Sequence, residues 1–126
     1  MQADREIRRF VREILGCSCP EEIFNKIEYR EACDDIPGSK INVGDRLLIY
    51  IINMDGIPAI PEVVGPAVQR GIEERDEKGF NRFRLVLASS SPDEIYRIAE
   101  KTFIDSACTD EKSHLHVLNK CHADVF

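Results

Sequence analysis

The run Leu47-Leu48-Ile49-Tyr50-Ile51-Ile52 constrains the fold more than any other stretch of this chain. It is apolar at all six positions, rich in Ile, and bounded by the Asp55-Gly56 turn signal. A strand with one wet face would alternate; one that does not is covered on both faces. The run is therefore expected at the centre of a sheet, with helices on each side.

Beyond this run the chain reads as two helix–strand repeats. Residues 60–78 have Ile60, Val63, Val64, Ala67, Val68, Gly71 and Ile72 in helical period, and Gly79 stops them. Pro61 suits the first turn. Pro66 would remove an interior hydrogen bond, so the helix either bends there or starts near Gly65-Pro66. Residues 80–88 then alternate. Phe83, Leu85 and Leu87 share one face, and Arg82 and Arg84 share the other. Ser91-Pro92-Asp93-Glu94 is the strongest helix start: Ser at the N-cap, Pro at the first position, Glu at the third. That helix is expected to bury Ile95, Ile98, Ala99, Thr102 and Phe103 and to end near Ala107-Cys108. Residues 113–119 form a last strand, with Leu115 and Val117 inward and His114, His116 and Leu118 on the opposite face.

The first part of the chain is less regular. Residues 4–15 place Ile7, Phe10, Val11, Ile14 and Leu15 on one helical stripe, with arginines on the wet side. A short second helix, 20–26, comes next. Residues 28–33 are a weak strand candidate with poor alternation. Residues 34–45 read as a loop, with turns at Ile36-Pro37-Gly38-Ser39 and Gly44-Asp45. Two consecutive βαβ units make their three strands parallel, with right-handed crossovers. The weak strand would join them antiparallel. The expected fold is a single α/β domain over 1–126, with a mixed four-stranded sheet, two βαβ crossovers and two N-terminal helices. The alternative is an α+β two-layer sandwich with all helices on one face.

Length and charge limit the function. A chain of 126 residues is one domain by length and buries ~65% of its unfolded surface, so no staple is needed to fold it. The net charge is −6 and the Lys and Arg residues are scattered, which argues against a nucleic-acid partner. No apolar run approaches the ~20 residues of a membrane span. The first residues are charged, so no signal peptide and a cytoplasmic location are expected. Five cysteines, an odd number, are then expected to be reduced, metal-bound or redox-active rather than a disulfide framework.

Three constellations could carry chemistry. The first is Gly16-Cys17-Ser18-Cys19-Pro20-Glu21-Glu22, a junction between two expected helices that sets two thiols near a helix N-terminus. Oriented N–H groups there favour a thiolate, while Glu21 and Glu22 oppose it. The pair could exchange disulfides, bind zinc or Cu(I), or simply be small buried apolar groups. His114 and His116 point the same way on the last strand and could join Cys17, Cys19 and Cys121 as metal ligands, with His122 beside them. Ordinary half-exposed strand histidines are the alternative.

The second is a small-anion site at the carboxyl edge of the parallel strands. Asp55, Ser89, Ser90, Ser91 and Lys120 would meet there, beside the helix start. Plain turn and cap roles are the alternative. The third is Arg82 with Arg84, which could clamp a carboxylate or phosphate, or be answered by Glu73, Glu74, Asp76 or Glu77. Walker A, G-x-G-x-x-G, H-E-x-x-H and G-x-S-x-G patterns are absent. Three functions emerge as expectations: first a small cytosolic thiol- or metal-binding protein, otherwise a non-catalytic protein-interaction module with structural cysteines, as partner of another protein or of itself, or a small-anion binder at the carboxyl edge of the sheet.

Overall fold

The apolar run forms the third strand of a five-stranded sheet. The computed structural model describes residues 9, 27–31, 38–57, 59–107 and 112–119. Their elements are β1 (Ile27–Glu31), β2 (Ser39–Val43), β3 (Leu47–Asn53), α1 (Ile60–Lys78), β4 (Arg82–Ser89), α2 (Pro92–Ala107) and β5 (Ser113–Asn119). Of the expected first helix only Arg9 is described, and it is helical and exposed. The second expected helix lies outside the described residues.

Spatial order equals chain order, β1-β2-β3-β4-β5. The first two pairings are antiparallel and the last two parallel. The mixed α/β architecture matches expectation, but the sheet has five strands where four were expected. The missing strand is β2, within the stretch read as a loop. Its sequence, Ser-Lys-Ile-Asn-Val, has only two strongly apolar residues. Hydrophobic pattern alone was too weak there; pairing on both sides makes it a strand. It also separates β1 from β3, so the weak strand joins the parallel set only through β2.

Positive backbone φ makes the tight β2–β3 connection possible. Gly44 and Asp45 lie at φ 63 and 57, and the Asn42 side chain accepts a hydrogen bond from the Asp45 amide at 2.8 Å. Gly38, which leads into β2, lies at φ 117, and a Cβ there would collide with the Ile51 carbonyl oxygen.

One sheet face carries Leu48, Tyr50, Ile52, Phe83, Leu85 and Leu87, with Leu115 and Val117 alongside. Val64, Ala67 and Val68 of α1 and Ala99 of α2 pack against it, so both described helices cover the same face. Each large side chain buried here contributes about 1.5–3 kcal/mol. Gly71 lets α1 approach closely, since a Cβ would run into the Phe83 ring. The opposite face carries Ile41, Val43, Leu47, Ile49 and Val86, all at most 1% exposed. Full burial of β3 on both faces therefore agrees with its unbroken apolar run.

α1 starts at Ile60 and carries Pro66 inside it, so of the two readings the early start holds. Gly79 closes it in the left-handed conformation at φ 76. No described helix is long and apolar enough to cross a membrane.

Candidate functional site

Parallel register brings the ends of β3, β4 and β5 to one edge: Asn53 pairs with Ala88, and Ser89 with Asn119. Asp55 follows β3 in a turn held by the Asn53 side chain, which accepts from the Asp55 amide at 3.0 Å. Ser89, Ser90 and Ser91 run from β4 into α2. One oxygen of Asp55, Oδ1, gathers three donors: the Ser90 amide at 2.9 Å, the Ser90 hydroxyl at 3.1 Å and the Ser89 hydroxyl at 3.3 Å. The Ser91 amide donates to Ser89 Oγ at 3.0 Å. The edge thus joins four of the five residues expected of the anion site; Lys120 lies outside the described residues. The anion held by the serine donors is the chain's own Asp55 carboxylate.

On the sheet face away from α1, Arg84 stands beside the two histidines of β5. Register pairs Arg84 with His114 and Val86 with His116, which confirms that both histidines share that face. Arg84 Nη1 donates to His116 Nε2 at 2.8 Å. A guanidinium only donates, so His116 is neutral with its proton on Nδ1. Burial, then the positive charge of Arg84 and, least, the electrostatic influence of His114, bring the His116 pKa down to about 4. Burial and the neighbouring Arg82 lower the pKa of Arg84 as well. A metal at His116 Nε2 would have to displace Arg84. Among the described residues, no group of three or more His, Cys, Asp or Glu side chains is placed to share an ion. Cys17, Cys19 and Cys121, the other expected ligands, lie outside the described residues, as do Cys33, Cys108 and His122.

A cluster that sequence reasoning missed lies under α1. Glu74 is 4% exposed. Its Oε1 accepts from the Tyr50 hydroxyl at 2.7 Å; its Oε2 accepts from Lys40 at 2.8 Å and Lys78 at 3.3 Å. Burial alone would raise its pKa. The hydrogen bonds from Lys40 and Tyr50, and the charges of Lys40 and Lys78, outweigh burial and hold it below the usual carboxylate value. A cavity of about 50 Å³ adjoins the cluster, bounded by Asn42 and Phe80 among others. It has room for a few water molecules. The expectation that Glu73, Glu74, Asp76 or Glu77 answers Arg82 and Arg84 is corrected for three of these acids; Glu73 lies 3.8 Å from Arg70. Glu74 turns to Lys40, Tyr50 and Lys78, and Asp76 accepts from Arg75 at 3.0 Å. Alternation along β4 sends Arg84 to the opposite side of the sheet.

The signal for Glu74 was present in the sequence. Val64, Ala67, Val68 and Gly71 define the buried stripe of α1, and Glu74 and Arg75 are its next members. Arg75 is buried too, donating to Ser113 Oγ at 3.0 Å. The partners of Glu74 were not legible, because Lys40 and Tyr50 meet only through the β2–β3 register.

α2 presents a more exposed surface. Ile95, Ala99 and Phe103 turn toward the core, while Tyr96 and Ile104 on the other side are 50% and 54% exposed. With Arg97, Glu100, Lys101 and Asp105 they line a groove of about 510 Å³. The Tyr96 hydroxyl donates to Glu100, which raises its pKa. Ile98, expected to be buried, is 47% exposed on a third side of the helix. Comparison with protein-family models, curated proteins and solved structures returns no match.

Proposed function

We propose that this chain is a non-catalytic protein-interaction module whose contact surface is the outward face of α2. The observation that carries the reading is the exposure of Tyr96 and Ile104 together in one groove. Single exposed apolar residues need no explanation; an aromatic and an aliphatic two turns apart on one helix face, with charged residues between and around them, are what a partner's apolar groups would cover. The polar clusters elsewhere support this. Asp55, Glu74 and His116 each already hold their neighbours at hydrogen-bond distance.

The test is a photo-reactive benzophenone side chain placed at position 104 of the full chain in its native cells, with Gln69, exposed on α1, as the control position. A discrete cross-linked product is expected from position 104 and none from 69. Tyr96→Glu in the same chain should abolish it. Equal labelling at both positions would end the reading.

A second reading, thiol or metal binding, draws on the shared face of His114 and His116. Zinc is the metal that imidazole and thiolate would suit. Metal analysis of protein purified tag-free under reducing conditions tests it. Stoichiometric zinc that is lost in His114→Ala would support it, and metal-free protein with unreactive thiols would sink it.

A further inference from the structure

We infer that the occupant of the α2 groove is a second copy of this chain, its α2 running antiparallel to the first; this rests on the reading of that face as the contact surface. The groove residues recur every four positions as 96/97, 100/101 and 104/105, three successive turns of one helix face. A two-fold axis through the middle turn sets the first turn of one helix against the third turn of the other. Tyr96 then meets Ile104, and Arg97 meets Asp105, twice per pair. At the axis the two Glu100 side chains share one flank and the two Lys101 side chains the other, a group of four with no net charge. A parallel pair would instead put Arg97 against Arg97. The face also sums to zero charge, two cations and two anions, on a chain carrying −6. Copies repel through most of their surface, and this face lets them approach. A two-fold contact requires one patch to complement itself, which this pattern does.

The contact is small. A helix of 16 residues is ~24 Å long, so a pair buries less than a standard stable interface and should be a micromolar dimer.

Sedimentation velocity on the full chain in a thiol reductant, from about 1 to about 500 µM, reads the association directly. A dimer fraction that rises with concentration is expected. Arg97→Glu and Asp105→Lys should each weaken it about tenfold, and the two combined on one chain should restore it, since each copy supplies both partners. Ile104→Glu should leave only monomer, with circular dichroism confirming that the variants fold. Monomer at every concentration, or a dimer indifferent to these substitutions, overturns the inference. If the chain is monomeric while position 104 still gives a discrete heterologous cross-link, the second copy is wrong and the α2 contact surface stands.

Discussion

Glu74 and Arg84 are both buried charged residues, one on each side of the same sheet, and they are stabilised in opposite ways. Glu74 is met by two lysines and a phenol, so its charged form is favoured and its pKa falls. Arg84 is met by an imidazole, and its charge is preserved by keeping that imidazole neutral. In the first cluster the partners bring opposite charge to offset desolvation. In the second, part of the penalty moves onto His116, whose pKa drops to about 4. The difference matters for pH: both clusters weaken in acid, the first because a carboxylate gains a proton, the second because an imidazole does.

Removing the centre of the first cluster should have the largest effect. Glu74→Ala leaves Lys40 and the Tyr50 hydroxyl without their acceptor and should cost about 3–5 kcal/mol in urea unfolding. A loss below about 1 kcal/mol would show that the lysines simply turn to water.

The second cluster should declare itself by pH. The folded His116 pKa lies below the 6.5 of an ordinary histidine, so between about pH 6.5 and about 4 the unfolded chain takes up the proton first. Stability present above pH 6.5 is therefore lost as pH falls toward 4, by about 2 kcal/mol once partial exposure is allowed for. Glu74 adds loss in the same direction at lower pH, since its folded pKa is also depressed. His116→Gln should remove the histidine part of the slope and keep the Glu74 part. Superimposable pH profiles for variant and wild type would refute the role given to His116.

Tyr50→Phe probes a single donor of the first cluster. It deletes the 2.7 Å bond to Glu74 while keeping the ring edge-on to Phe83, and should cost about 1.5 kcal/mol. It should also raise the Glu74 pKa, readable by carboxyl carbon NMR; an unchanged value would assign the depression to the lysines alone.

The smallest effect is expected outside both clusters. Ile104→Glu on the exposed face of α2 should change monomer stability by less than about 0.5 kcal/mol. A larger loss would mean that this face packs within its own chain.

The elements of the second half were legible because their patterns are strong and local. β5 was expected at 113–119 and β3 at 47–52, and both stand within a residue of those bounds. The end of α1 at Gly79 and the start of α2 at Pro92 came from turn and cap chemistry, which acts over four residues or fewer. β2 was not legible, because Lys40 and Asn42 interrupt its apolar pattern and its strand character comes from neighbours on both sides. Of the candidate site residues, Asp55 and the three serines could be placed together from strand order alone. That Asp55 itself would accept their hydrogen bonds could not, since this depends on how far a turn residue reaches across to the next strand.

The sequence by itself determined that β3 is buried on both faces, that β4 and β5 run parallel to it, and that His114 and His116 share a face away from Leu115. These follow from periodicity and from the handedness of short crossovers, which are properties of neighbouring residues. Only the tertiary structure decided which charges would be buried and what would answer them. Lys40, Tyr50 and Glu74 come from three elements, as Asp55 and Ser90 come from two loops 35 residues apart. Their meeting depends on strand register and on Gly71 letting α1 sit close over Phe83. Hydrogen bonds and ion pairs act over about 3 Å, and no pattern along a chain specifies a distance that short between segments so far apart.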